Sequence, residues 1–210
     1  MAKHSVKNLN KLADIIREKS TLVDKAAANT INKTATATIS KSVSEITKSV
    51  NLDANYVKKH IKVVARASPT NLRGIIHANE RGTLLTRYPH FRTKDGVRVS
   101  INKGSGYREL KGAFIVTGLK GSAASGIALR NTAAVAFFEN AIAKTGSSSA
   151  KNKKLRNIKV KAQAKPNGME VLHSRSVNQL FTSVRDDVKP FIDDFMVLEM
   201  QKQLNNKGIK

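Results

Sequence analysis

The chain has 210 residues, enough for one domain with a substantial core, and 38 Lys/Arg against 15 Asp/Glu give it a net charge of +23. It contains no cysteine, which excludes disulfides, thiol nucleophiles and thiolate metal sites and is typical of proteins from a reducing cytoplasm. Aromatic residues make up only 5%, which argues against a small-molecule pocket. Without an apolar signal core or a run of about 20 apolar residues, we expect a soluble, unexported chain with no membrane span.

The basic charge is concentrated in the middle of the chain. The net charge is +5 over residues 1–50, +18 over residues 51–165 and zero over residues 166–210. A large field of one sign favours a polyanion or an acidic protein surface as partner. The middle of the chain is therefore predicted to face nucleic acid or acidic protein.

Apolar residues at helical spacing predict two helices in the first 50 residues. The first contains Val6–Ile16, and Ser20 or Thr21 would cap the second, Leu22–Val50. The second helix is rich in Ala, Ser and Thr, and because small residues bury little area it needs a partner. That partner is either the first helix or a neighbouring subunit. We predict residues 1–50 to be an N-terminal helical extension.

A basic α+β core is predicted from residue 51 to residue 210. Asn51 or Asp53 would cap a short helix that ends near Ile61. Alternating apolar and polar residues then predict a small, mainly antiparallel sheet, with a tight turn at Lys94–Gly96. The predicted strands are 61–67, 72–77, 84–88, 97–101, 113–116, 126–130 and 169–173.

Residues 131–165 are predicted to be an insertion in this core. The apolar stretch Ala134–Ala143 indicates a helix. After it, residues 146–165 combine a Ser-rich run with seven Lys/Arg and no acid. That composition predicts a mobile basic loop or arm.

The C-terminal segment gives the clearest helical pattern. Ser176 would cap a long helix that carries an apolar stripe from Val177 to Leu198 and packs on the sheet. Pro190 predicts a kink or a break followed by a restart. The pairs Asp186–Asp187 and Asp193–Asp194 are expected on its outer faces. The fold class predicted for the whole chain is α+β.

Two sets of residues are candidates for function. One set is basic and would contact phosphates without regard to base sequence; it comprises Lys58, Lys59, Lys62, Arg66, Lys151, Lys153, Lys154, Arg156, Lys159 and Lys161. The other set is apolar and would pack in the core or between subunits; it comprises Ile31, Ile39, Ile46, Phe114, Phe181, Phe191 and Phe195.

No catalytic or metal-binding pattern is present in the sequence. The five histidines have no spacing that puts two on one helical face beside a carboxylate. The paired aspartates of the C-terminal helix fit a solvated face better than a two-metal nuclease site. Gly104-Ser105-Gly106 lacks the Gly-Lys-Ser/Thr ending of a phosphate-binding loop, so a flexible turn is preferred. We therefore expect a protein that is not an enzyme and needs no cofactor.

Four stretches, taken in order, resemble the minor tail protein Z family of tailed phages. They are the small-residue helix that begins at Ala26–Lys33, the turn and strand Gly112–Ile115, the strand Ile127–Arg130, and the helix start Ser176–Phe181. The resemblance covers most of the chain and departs from the family at residues 131–165. His173-Ser174-Arg175 also stands where the family pattern has a proline.

The resemblance implies a structural role in tail completion, near the head-proximal end of the tail, in head–tail joining and positioning of the DNA end. It also implies a homo-oligomeric ring, commonly hexameric in related neck and tail-end proteins. Partners would be the tail tube or tail terminator, the neck proteins and, non-specifically, genomic DNA. The protein would be found in the virion tail, and in the host cytoplasm during assembly. The basic composition alone leaves another hypothesis open, a ribosome- or nucleoid-associated protein that binds nucleic acid.

Overall fold

The computed structural model describes residues 3–119, 124–145 and 150–209 and confirms an α+β fold. A 3-10 turn at Leu85–Arg87 follows the third strand. The helices are α1 Lys3–Ser49, α2 Ala54–Lys59, α3 Asn131–Thr145, α4 Ala150–Ala164, α5 Val177–Ser183 and α6 Arg185–Asn205. The strands are β1 Ile61–Ala65, β2 Ile75–Ala78, β3 Gly82–Leu84, β4 His90–Thr93, β5 Gly96–Val99, β6 Arg108–Lys111, β7 Ala113–Val116, β8 Gly126–Arg130, β9 Met169–Val171 and β10 His173–Ser176.

Residues Lys3–Ser49 form one helix, so the prediction of two helices is wrong. This stretch contains neither glycine nor proline, and nothing in it therefore forces the chain out of the helix. The Thr21 hydroxyl, expected to cap a second helix, instead donates to the Arg17 carbonyl oxygen within the same helix, at 2.9 Å. The short helix predicted next is confirmed as α2, and Asp53 occupies the position before it.

Within the described residues, the strands form four small antiparallel sheets. The pairs are β1–β2 and β3–β10, and the three-stranded sheets are β4–β5–β6 and β7–β8–β9. The predicted turn at Lys94–Gly96 joins β4 to β5, and a Cβ at Gly96 would meet the Leu110 carbonyl oxygen, so only glycine fits. The predicted strand 84–88 is wrong, because the 3-10 turn occupies most of it. The strand predicted at 169–173 is divided between β9 and β10, and neither β4 nor β6 was predicted.

The segment predicted as a mobile basic loop is helical over Ala150–Ala164, which corrects that prediction. Leu155, Ile158 and Ala162 are buried or half-buried at helical spacing, and the helix packs along α3. Lys159 also donates to Glu139 of α3 at 2.7 Å. The remainder of that prediction, residues 146–149, lies outside the described residues.

The C-terminal helix is interrupted at Val184 rather than at Pro190. α5 ends at Ser183, and α6 begins at Arg185 and continues through Pro190. The Val188 amide already donates to the Val184 carbonyl oxygen at 3.0 Å, so helical bonding resumes before the proline. Proline in the second turn removes only its own amide hydrogen bond, and α6 continues without that bond.

The chain divides into two compact units, each made of separated stretches. The first unit comprises residues 1–47, 54–80 and 177–210, and the second comprises residues 48–53 and 81–176. Buried residues of the first unit include Ile46, Val57 and Leu180, and those of the second include Val97, Ile127 and Leu129. The division into an extension up to residue 50 and a core after it stays a prediction.

Candidate polyanion-binding and subunit-contact surfaces

Helix α4 presents a basic face in the second unit. The helix contains six Lys/Arg and no Asp/Glu. Lys153, Arg156 and Lys161 are exposed, and they lie on the side away from the buried Ala162. Lys159 is held by Glu139 and is only partly available to a ligand. The side chains of the two other predicted cations, Lys151 and Lys154, are outside the described part of the chain.

The basic charge of the second unit extends beyond α4. By sequence, this unit has 20 Lys/Arg against five Asp/Glu, a net charge of +15. On the β4–β5–β6 sheet, Arg92 and Arg108 are exposed, and Arg98 lies 3.8 Å from Glu109. With so few acids available, most of these cations have no compensating charge in their own unit, and the unit should attract polyanions.

The other predicted cations belong to the first unit. Lys58 and Lys59 end α2, and Lys62 lies on β1 with Arg66 directly after it. All four are exposed. The alternation of β1 explains this for Lys62 and Arg66, since even-numbered residues point away from the buried side that holds Ile61. All four are therefore accessible to a partner, and their contact with a polyanion stays a prediction.

The predicted packing residues differ in burial. Ile46 is fully buried, whereas Phe191 is 41% exposed and carries the Lys41 ammonium 5.4 Å from its ring centre. Phe114 lies under the Arg130 guanidinium at 5.6 Å. The half-buried members are Ile31, Ile39, Phe114, Phe181 and Phe195.

Polar side chains, which sequence reasoning missed, join α1 to α6 inside the first unit. Lys33 Nζ and Gln203 Nε2 each donate to Glu199 Oε1 at 2.6 Å. Glu199 is only 8% exposed, and the hydrogen bond from Lys33, followed by that from Gln203, holds the pKa of its carboxyl below the ordinary value. Asn29 Nδ2 donates to Gln203 Oε1 at 3.4 Å. The sign of this contact in the sequence was Glu199, an acid on the apolar side of the C-terminal helix.

An apolar cavity of about 380 Å³ lies in the second unit beside α3 and α4. Its walls include Val99, Phe137, Leu155, Ile158 and Leu172. Among the described residues, no group of His, Cys, Asp and Glu could hold a metal ion. Across that same part of the chain, every helix is too short or too polar to cross a membrane.

The glycine-rich stretch considered for phosphate binding is a turn. Gly104 and Gly106 have φ angles of 79° and 63°, in the left-handed region that favours glycine. The chain then enters β6 rather than a helix. The arrangement therefore lacks the helix N-terminus on which a phosphate-binding loop depends.

One comparison with known proteins gives a match over nearly the whole chain. The family model described as Prophage minor tail protein Z matches residues 2–208. No curated protein and no solved structure matches significantly.

Proposed function

Because the chain belongs to the prophage minor tail protein Z family and is thus a phage tail structural protein, we propose that it acts at the head-proximal end of the tail. There it would work as a tail-completion or neck component, in head–tail joining and in positioning the DNA end. The family assignment confirms the resemblance found in the sequence and favours the tail protein over a ribosomal or nucleoid protein. The family is structural, which is consistent with a protein that is not an enzyme.

The observation that carries the DNA-related part of the proposal is the charge of the second unit. Its net charge of +15 is much larger than the +8 of the first unit. Within it, helix α4 carries Lys153, Arg156 and Lys161, all exposed and all away from the buried Ala162. Cations on a helix contact phosphates with less loss of side-chain and backbone entropy than cations on a mobile loop. We assign this face to the DNA that ends in or passes through the tail.

The proposal includes an assembly of several copies, as the family resemblance implied. A homo-oligomeric ring, hexameric as in related neck proteins, would place one basic unit per copy around the DNA. Its neighbours in the virion would be the tail tube or tail terminator and the neck proteins. Before joining, the protein would accumulate in the host cytoplasm.

The test is a phage that carries Lys153→Gln, Arg156→Gln and Lys161→Gln together. We expect normal numbers of tails but fewer particles that retain DNA or join heads, because phosphate contacts are lost while the buried side of α4 is unchanged. A second variant adds Lys151→Gln and Lys154→Gln to the same helix. Infectious titre and DNA content per particle are the measurements.

The matched control removes two lysines and one arginine from another exposed helix surface, with Arg17→Gln, Lys19→Gln and Lys25→Gln in α1. This control should behave like wild type. Normal titre and DNA content in both α4 variants would contradict the proposed DNA contact. An electron-microscopic label on the protein found at the distal tip would contradict the head-proximal position.

A further inference from the structure

Exposed hydrophobic side chains are concentrated in the first unit, the less basic of the two. Of 15 large hydrophobic side chains that are exposed among the described residues, ten belong to it. Apart from those on α1, they lie on α6 and on the β1–β2 ribbon. Exposed apolar patches rimmed by charge are typical of protein-contact surfaces.

The outer side of α6 is apolar and acidic. Val197 and Leu198 are 58% and 66% exposed. Val197 lies four residues after Asp193 and eleven after Asp186. Leu198 has the same spacing from Asp194 and Asp187. At these spacings each apolar residue lies on the same side of the helix as its two aspartates. Asp187, Asp193 and Asp194 form no ion pair with another described residue, and Asp186 pairs only with the adjacent, exposed Arg185. We call the following six residues the acidic face: Asp186, Asp187, Asp193, Asp194, Val197 and Leu198.

The outer side of the β1–β2 ribbon is apolar and basic. Val64 on β1 and Ile75 on β2 are 60% and 38% exposed, and Leu72, in the connection between the two strands, is 46% exposed. The cations beside them are exposed as well, and Lys62 is paired across the ribbon with His77 rather than with an acid. We call the following six residues the basic ribbon face: Lys62, Val64, Arg66, Leu72, Arg73 and Ile75.

Helix α1 holds these two elements on opposite sides. Thr30 and Lys33 contact α6, with Lys33 Nζ 2.6 Å from the α6 carboxylate and Thr30 Oγ1 3.6 Å from a methionine sulfur. Asn32 exchanges two 2.9 Å hydrogen bonds with the Ala67 backbone beside β1, and Ile31 lies against the chain before β2. At 100° per residue, the midpoint of positions 30 and 33 lies about 180° around the helix from the midpoint of positions 31 and 32. The acidic face and the basic ribbon face therefore point away from each other.

We propose that the acidic face of one copy docks on the basic ribbon face of a second copy. Val197 and Leu198 would pack against Val64, Leu72 and Ile75, while the four aspartates of the acidic face meet the three cations of the ribbon. Pairing of two acidic faces, or of two ribbon faces, would oppose like charges, so a two-fold contact is disfavoured.

The resulting contact is head-to-tail, and such a contact closes into a ring or continues as a filament. The role of such a ring in the phage tail rests on the proposed function, whereas the docking of the two faces does not. It assigns Lys62 and Arg66 to a subunit contact, although the sequence placed them among the residues facing a polyanion.

The test uses two charge-reversed variants of the full chain. One carries Asp193→Lys and Asp194→Lys, and the other carries Lys62→Glu and Arg66→Glu. Each alone should be monomeric by light scattering and native mass spectrometry, whereas the wild type should assemble. Mixed in equal amounts, the two variants should assemble again, because their intact faces pair with each other and their two reversed faces carry opposite charges. Circular dichroism confirms that both variants are folded.

A matched control carries Lys153→Glu and Arg156→Glu on α4, which should assemble like the wild type while binding DNA more weakly. A wild type that stays monomeric, or a reversed variant that assembles by itself, would overturn the inference and leave the DNA proposal standing. If the variant with Lys62→Glu and Arg66→Glu loses DNA binding but still assembles by itself, the proposed docking is overturned as well. Normal assembly with normal DNA binding in the α4 control would instead count against the proposed function alone.

Discussion

Polar side chains of α1 position its neighbours where larger hydrophobic residues are lacking. Asn32 both donates to and accepts from the Ala67 backbone, which attaches the ribbon to the helix. Lys33 reaches Glu199 on α6. Because the small residues of α1 bury little area, directional bonds of this kind determine which neighbour packs where.

Glu199 should make stability depend on pH. Its folded-state pKa lies below the ordinary value of 4.5, chiefly through the Lys33 hydrogen bond and next through Gln203. The carboxylate therefore contributes stability fully above about pH 4.5, and the contribution is lost as the pH falls through the folded-state value. Glu199→Gln should lower the free energy of unfolding most at neutral pH and least in acid, measured by urea unfolding.

The exposed Glu18→Gln change on α1 serves as the control for Glu199→Gln, since Glu18 forms no ion pair among the described residues and lies outside both proposed contact faces. It should leave the pH profile unchanged. A stability difference between wild type and Glu199→Gln that stays constant from neutral pH to acid would contradict the role given to the Lys33 hydrogen bond.

Both units contain a helix that buries only a narrow stripe, α6 in the first unit and α4 in the second. Among the described side chains of α4, the apolar residues Leu155, Ile158 and Ala162 are buried or half-buried, and α6 buries Val188 while leaving Leu198 exposed. Such helices depend on tertiary packing rather than on their own propensity. The cost of a substitution therefore depends on whether a residue lies inside the stripe or at its edge.

Two apolar residues predicted for packing should differ in their contribution to stability. Ile46→Ala should lower the free energy of unfolding by about 2–5 kcal/mol, because Ile46 is fully buried in α1 and its removal leaves a cavity. Phe191→Ala should cost less, about 1–2 kcal/mol, because Phe191 is 41% exposed. Urea denaturation of both variants measures the difference, and an equal loss would contradict the burial of the two side chains.

Over the whole molecule, charge and exposed apolar surface are divided between the units. The second unit carries most of the positive charge, and the first carries most of the exposed hydrophobic side chains and the paired aspartates of α6. This division matches the two contacts proposed above, with nucleic acid for one unit and neighbouring subunits for the other.

DNA binding should be sequence-independent and strongly weakened by salt. Each phosphate contact contributes about −0.9 to the slope of log K against log salt concentration, so removing Lys153, Arg156 and Lys161 should reduce the slope by about 2–3. Titrations of duplexes of unrelated sequence at several salt concentrations give the slope. The α1 control that lacks Arg17, Lys19 and Lys25 should keep the wild-type slope, and an equal reduction in both variants would show that α4 has no special part.

The sequence by itself determined the features that depend on local pattern and composition. Apolar periodicity predicted the helical character of the first 50 residues and of the C-terminal segment, and the Gly96 turn predicted a hairpin that the structure confirms. The order of short motifs was sufficient to indicate the family. Charge counts also placed the basic excess in the middle of the chain.

Only the tertiary structure decided the features that depend on distant partners. The basic segment after Ala150 is a helix because α3 packs along it and Glu139 binds Lys159, neither of which a local composition reveals. The pairing of Lys33 with Glu199 joins residues 166 positions apart. The acidic face and the basic ribbon face likewise point in opposite directions because α6 and the β1–β2 ribbon contact different sides of α1. Such a direction depends on packing as well as on the order of residues.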